Sequence, residues 1–256
     1  MKQKIILAFS GGSDSTFLLE TIYHLTSQIF HVAFFQTPFS SLRTAENAYK
    51  FLESRGFNYT ILPLDLLKEP DVVANQPDRC YHCKKAMFEA LLKYFNLPGV
   101  LPRFMEGTNF SEALHENRPG LRAIEELKIE SPLRRAGMTD EDIAVLREEH
   151  HFHPPIDDIG CLATRIPYGT PITIDLLKRI DEAEEFLREK DFHKVRIRYM
   201  GDTAKIEVAQ EELPRLVHPP FRNTLVDHLK GVGFKHVYVD MEGYRPGAFD
   251  DYRSSS

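Results

Sequence analysis

The sequence predicts an α/β protein: a doubly wound parallel sheet followed by a smaller C-terminal α+β unit. Three observations carry this. Continuous apolar runs such as Lys4-Ile5-Ile6-Leu7-Ala8-Phe9 fit strands covered on both faces. These runs alternate with segments of helical apolar spacing, the signature of parallel strands joined by helices. Beyond residue 168 the order changes to helix, strand, strand, helix, strand, a compact αββαβ pattern. Two domains are therefore expected, at 1–168 and 169–256.

The elements follow in order. Strand 4–9 leads into a helix over 15–27, with Phe17, Leu18, Ile22 and Leu25 on one side. A strand at 31–35, a helix at 44–55 stopping at Gly56, and a strand at 59–64 come next. Residues 80–95 read as helix, 100–106 as strand, and Gly107-Thr108-Asn109 as the loop after it. Thr139 is placed to cap a helix reaching 149, with Asp142 at the capping-box position. The His-, Pro- and Asp-rich stretch 150–160 reads as a loop. Past a boundary at 167–171, a helix at 175–190, strands at 195–199 and 204–209, a helix at 221–230 and a strand at 236–241 are expected. Ser254-Ser255-Ser256 should fray.

Composition narrows the function classes. Hydrophobic content of 42% with 27% charged residues is that of a globular protein. A net charge of −6 argues against a broad nucleic-acid surface but leaves room for a local anion pocket. The apolar run near the N-terminus is too short for a membrane span or a secretory leader, so a cytoplasmic protein with no membrane partner is expected. Three cysteines cannot all pair internally, which in a reducing compartment makes them candidates for metal or sulfur chemistry.

Ser10-Gly11-Gly12-Ser13-Asp14-Ser15-Thr16 directly follows the first strand. A strand-to-helix turn collects backbone N–H groups and the positive end of the helix dipole, which together hold phosphate. Gly11 and Gly12 lack the Cβ atoms that would block close approach. The hydroxyls of Ser10, Ser13, Ser15 and Thr16 can add donors, and Asp14 can align Mg²⁺. Thr37 joins Ser10 at the carboxyl ends of the strands, where ligands of such sheets bind. The competing reading is a Gly-Ser turn capping a helix, and no Gly-Lys-Ser/Thr is present for a Walker loop. The segment resembles the PP-motif, Ser-Gly-Gly-x-Asp-Ser, of the N-type ATP pyrophosphatases. That resemblance implies ATP binding, adenylation of a substrate oxygen and release of pyrophosphate.

Further segments are similar to one branch of that superfamily. They are Glu106-Gly107-Thr108-Asn109, Arg118-Pro119-Gly120-Leu121-Arg122-Ala123, Glu130-Ser131-Pro132-Leu133 and, most specifically, Cys161-Leu162-Ala163-Thr164-Arg165-Ile166-Pro167-Tyr168-Gly169. Val195-Arg196-Ile197-Arg198, Ala204-Lys205-Ile206-Glu207-Val208 and Glu242-Gly243-Tyr244-Arg245-Pro246-Gly247 extend the likeness to the C-terminal unit. On these segments the chain resembles the LarE family of ATP-dependent sulfur transferases, which act in nickel-pincer nucleotide biosynthesis. The resemblance implies that the carboxylates of a pyridinium-3,5-dicarboxylate mononucleotide are adenylated and that sulfur then displaces AMP. It also implies nucleotide contacts from Gly107 and Arg122, and carboxylates at Glu184 and Glu207 near a sulfur-handling Cys161. The plain reading of Glu184 is a solvated helix face. Arg196, Arg198 and Arg245 suit bidentate phosphate binding, and Arg196 and Arg198 are expected to point to opposite faces of their strand. A solvated strand face is the alternative for them. A homo-oligomer is the family's tendency.

Cys80-Tyr81-His82-Cys83 and the signature Cys161 admit two sulfur chemistries. In one family variant a lone cysteine at the Cys161 position gives up its own sulfur. In the other, cysteines matching Cys80, Cys83 and Cys161 hold a [4Fe-4S] cluster whose open iron binds sulfide from an exogenous donor. The presence of all three favours the cluster, and structural zinc is the competing metal. One departure is that Phe152-His153-Pro154-Pro155-Ile156-Asp157-Asp158 stands where family members often carry a Trp or Lys-Pro element. The rival functions are a tRNA thiolase, disfavoured by the acidic balance and few cysteines, and a non-catalytic ATP- and zinc-binding regulator.

Overall fold

Apolar side chains that alternate along one strand need cover on two sides, and the first strand shows how this chain supplies it. In the computed structural model, described over residues 4–25, 30–96, 102–114, 118–153 and 160–245, β1 (Ile5–Phe9) is buried along its whole length. Ile5, Leu7 and Phe9 join one hydrophobic cluster, while Ile6 and Ala8 join another. The first cluster is completed by Phe17, Leu18, Leu19 and Ile22 of α1 (Ser13–Leu25) and by Ala48, Phe51 and Leu52 of α2 (Leu42–Ser54). β2 (Phe30–Gln36) and β3 (Tyr59–Pro63) extend the sheet. After the short α3 (Pro70–Val73), the chain crosses to the other face as α4 (Arg79–Tyr94), whose Phe88 and Leu91 complete the second cluster. β4 (Arg103–Met105) then pairs with β1.

The sheet is parallel with order β3-β2-β1-β4. The order reverses between β1 and β4, and a reversal opens a crevice at the strands' carboxyl ends because the flanking connections leave toward opposite faces. The first unit is completed by α5 (Phe110–Leu114), α6 (Pro119–Glu126), α7 (Pro132–Arg135) and α8 (Asp140–Glu149). The Thr139 hydroxyl and the Asp142 carboxylate form the expected capping box at the start of α8. Helices α5 to α7 have no counterpart in the sequence reading, because each is eight residues or fewer and too short to display a periodic face.

The chain divides into two compact units between Gly160 and Cys161, rather than after Tyr168. Ion pairs explain the earlier boundary. Arg165, in the 3₁₀ turn 162–165, is bound to Glu184, so the signature segment belongs to the second unit. That unit contains α9 (Ile174–Arg188), β5 (Arg196–Met200), β6 (Thr203–Glu207), a short α10 (Leu213–Val217), α11 (Phe221–Gly231) and β7 (His236–Val239). Its sheet has the order β5-β6-β7, with β5 and β6 antiparallel and β6 and β7 parallel. Ala183, Leu187, Ile197, Ile206, Leu225 and Leu229 are buried together as its core.

Several expectations fall partly or wholly outside the described residues: the end of the first helix at 26–27, the start of the fourth strand at 100–101, the 154–158 segment, Pro246-Gly247 and the serine tail. Among the described residues, no helix is long and apolar enough to cross a membrane.

Candidate active site

The loop between β1 and α1 holds itself in shape. Helix α1 begins at Ser13, two residues earlier than the spacing suggested, so the motif forms the helix N-terminus itself. Gly11 has φ of +79°, a left-handed conformation, and a Cβ there would approach that of Ala48 to 3.1 Å. The Ser10 hydroxyl accepts the Gly12 N–H at 3.2 Å and lies 3.0 Å from the Ser15 hydroxyl. Ser15 and Thr16 are buried, and both hydroxyls donate to the Gly12 carbonyl, at 3.0 and 2.9 Å. Expected as phosphate donors, these two hydroxyls instead fold the turn. Ser10 and Ser13 remain the more exposed hydroxyls of the loop.

The loop after β4 closes against it. A Cβ on Gly107 would lie 2.9 Å from both Cα and N of Ser15, so only glycine lets the two loops meet. Gly107→Ala therefore forces backbone apart at the switch point. It is expected to lower stability by about 1–3 kcal/mol and to weaken Mg-ATP binding, checked by thermal melts and calorimetry.

Asn109 is fully buried and bridges two carboxylates, its amide donating to Asp14 at 2.8 Å and to Asp140 at 2.6 Å. Its side-chain oxygen accepts the Glu112 N–H at 2.8 Å. Asp14 is thus oriented at the start of α1, where the helix dipole favours a negative charge. Buried Glu106 accepts from the Thr108 N–H and from the Thr108 and Ser131 hydroxyls, fixing the Glu106–Asn109 turn to α7. Thr37 shapes its own turn after β2, accepting the Phe39 N–H at 3.3 Å.

Cys80 and Cys83 lie three residues apart at the start of α4, on one face of the helix and half-buried. The Arg79 guanidinium reaches the Cys80 sulfur at 3.7 Å, and Cys83 is 3.8 Å from the Met87 sulfur. Arg122 lies over the Tyr81 ring, 3.6 Å from its centroid, and faces Glu126 at 3.7 Å. Expected as a nucleotide contact, Arg122 stands on the α4–α6 pair, over Tyr81. All three cysteines are thiols, and Cys161 is exposed at the start of the second unit. Thiolates spaced as Cys80 and Cys83 are could supply two ligands to a metal centre, zinc or iron–sulfur. Among the described residues, however, no group of three or more His, Cys, Asp or Glu side chains is gathered to hold a metal ion.

In the second unit, the carboxylates and arginines form one buried network. Glu184 and Glu207 are both almost wholly buried. Glu184 binds Arg165 through both oxygens, at 2.9 and 3.0 Å, together with Arg188 and the Ile197 N–H. Burial by itself would raise the Glu184 carboxyl, but the guanidinium groups of Arg165, Arg188 and Arg196 outweigh it and hold the carboxyl below the usual range. Glu207 pairs with Arg198 at 2.9 Å and Lys205 at 3.5 Å. Arg165 donates to the Cys161 carbonyl and Arg198 to the Thr164 carbonyl, each at 3.0 Å. Glu184 is therefore no solvated helix face. Both carboxylates hold the arginines that hold the cysteine turn.

Arg196 and Arg198 share a face, correcting the expectation of opposite faces, since residues two apart along a strand project the same way. Arg196 reaches over the Tyr244 ring, 5.0 Å from its centroid. Among the described residues, Arg196 makes no ion pair with a carboxylate. Burial, and then the neighbouring Arg165, push its guanidinium down to about 10. Arg245 pairs with Glu242 at 2.8 Å on the surface. The sequence reading missed the roles of Asn109 and Arg165, because nothing in composition or spacing announces a buried polar group.

A four-stranded parallel sheet whose switch point carries a Ser-Gly-Gly-Ser-Asp-Ser turn at a helix N-terminus is consistent with a Rossmann-like PP-loop domain. Comparison with known proteins carries this further. No family model matches the chain. An uncharacterized protein of Methanocaldococcus jannaschii is 34% identical over 95% of this chain and 91% of its own length, and the chain belongs to one family with it. An uncharacterized protein of Synechocystis is 28% identical over 95% of the chain and 91% of its own length. The pyridinium-3,5-bisthiocarboxylic acid mononucleotide synthase of Lactiplantibacillus plantarum is 29% identical over 97% of the chain and 90% of its own length.

Proposed function

We propose that the chain is an ATP-dependent sulfur insertase acting on a pyridinium-3,5-dicarboxylate mononucleotide. The observation that carries this reading is the likeness, over 97% of the chain, to a synthase named for the bisthiocarboxylic acid product. In each round a substrate carboxylate oxygen forms a bond to the α-phosphorus of ATP, and the bond to the β-phosphate oxygen breaks with pyrophosphate leaving. A hydrosulfide sulfur then bonds to the carboxyl carbon and loses its proton. The carbon–oxygen bond breaks, and AMP leaves with the electron pair. Two rounds convert both carboxylates.

The chain's groups divide this work. The N–H groups of the first turn of α1, with the Ser10 and Ser13 hydroxyls, hold the pyrophosphate end of ATP. Asp14, oriented by Asn109, would align Mg²⁺, which would spread the charge developing on phosphate. Arg196 is the guanidinium best placed to take the substrate phosphate, since Arg198 is already engaged by Glu207. Arg165 and Arg198 hold the Cys161–Thr164 turn. Cys80, Cys83 and Cys161 would hold the [4Fe-4S] cluster, which would supply an open iron to carry sulfide.

Anaerobic reconstitution followed by iron analysis tests the sulfur step. The wild type is expected to take up about four irons, as a cubane requires, and Cys80→Ala to lose most of them. An iron-free wild type making one product molecule per chain, with mass lost at Cys161, would show instead that Cys161 is consumed. Zinc in place of iron, with no pyrophosphate released, would favour a non-catalytic binding protein.

A further inference from the structure

The N-terminus of α1 carries a buried cation that the motif itself does not contain. Arg147 of α8 is 5% exposed. Its Nη2 donates to the Ser13 carbonyl at 2.8 Å and to the Ser13 hydroxyl at 3.1 Å. Its Nη1 donates to the His153 carbonyl at 2.6 Å. Behind it, buried Glu20 accepts the His153 N–H and an Arg55 donor, each at 2.9 Å.

This placement runs against two ordinary preferences. A helix N-terminus is already electropositive and disfavours a cation. A buried guanidinium is costly unless other charges answer it. Burial does pull Arg147 below the usual arginine range, opposed by the attraction of Glu20 and Asp14. A brace between two carbonyls needs donors but not a charge. The charge has a use when a polyanion arrives at the same helix end, because it adds to the field of the N–H groups and is then neutralised.

We infer that Arg147 is a positioning residue for the phosphate loop, holding the Ser13 peptide and hydroxyl so that the start of α1 is preorganised for pyrophosphate. The inference rests on the ATP reading of the loop, and it adds a residue far from the motif in sequence.

The test uses the full chain with Arg147→Met and Arg147→Lys. Mg-pyrophosphate is titrated calorimetrically, and pyrophosphate release is followed against ATP concentration. Arg147→Met is expected to bind Mg-pyrophosphate at least about tenfold more weakly, and to raise KM for ATP by a similar factor with kcat changed less than about threefold. Arg147→Lys should recover part of the affinity. It also provides the comparison if the Met variant fails to fold, judged by circular dichroism. Millimolar guanidinium ion should partly restore the Met variant. Unchanged affinity in both variants, or a fall in kcat at constant KM, would overturn the inference and leave the loop's role standing. A wild type that binds neither ATP nor Mg-pyrophosphate would overturn both.

Discussion

Asp14→Ala is expected to lower pyrophosphate release by roughly 10²–10³-fold while leaving the fold in place. Asp14 lies in the first turn of α1, and its carboxylate is held by the Asn109 amide at 2.8 Å. The amide also donates to Asp140, so the bridge keeps one anchor when Asp14 is removed. Under the proposed function, what is lost is the charge that would align magnesium beside the leaving pyrophosphate. An interaction needed most as charge develops in the transition state affects kcat and kcat/KM together. Initial rates with the dicarboxylate mononucleotide, measured over a range of ATP concentrations, check this. A variant with wild-type rates would remove the loop from the reaction. Asp14→Asn separates charge from shape: it should fall nearly as far, because an amide does not replace a carboxylate at Mg²⁺.

Glu184→Ala should be the most destabilising single change in the second unit, by about 3–5 kcal/mol. It leaves the guanidinium groups of Arg165 and Arg188 buried with no carboxylate between them, and it strips the acceptor from the Ile197 N–H. Arg165 also holds the Cys161 carbonyl, so the cysteine turn should loosen with the core. Hydrogen exchange resolves the effect by unit: amides of α9 and β5 should lose protection, while those of β1 and α1 should not. Equal protection throughout would show that Glu184 is not the centre of that network. The same carboxylate predicts a pH dependence. Its folded value lies below its unfolded one, so the folded state binds fewer protons there. The stabilisation is complete above roughly pH 4.3, the unfolded glutamate value, and is lost as pH falls through the lower folded value. Acid melts of the wild type should therefore show an acid-side loss that Glu184→Gln largely lacks.

Both predictions follow from contacts between residues distant in the chain, and this marks the limit of the sequence reading. β1, the two helices after it and the Ser10–Thr16 turn were legible because their information is local. Continuous apolar residues demand two-sided burial, and glycines next to hydroxyls at a strand end demand a turn. The capping box of α8 was legible for the same reason, since Thr139 and Asp142 are one helical turn apart. The spacing of Cys80 and Cys83 was legible as one helical turn, and both lie at the start of α4, but the spacing by itself left zinc and an iron–sulfur cluster open.

What the tertiary structure alone decided is which polar groups are buried and against what. Glu184 reads along its helix as one acid among several, yet it is wholly buried because Arg165 and Arg188 converge on it. The Ser15 and Thr16 hydroxyls read as phosphate donors, yet they turn inward to the Gly12 carbonyl. Asn109 stands in the Glu106–Asn109 segment with no role assigned to it and Arg147 in no motif, and each is defined by the loop it holds. Apolar periodicity reports which face of an element is covered. The partner of a buried charge is chosen by long-range folding, because the cost of leaving it unpaired is met only when distant segments come together.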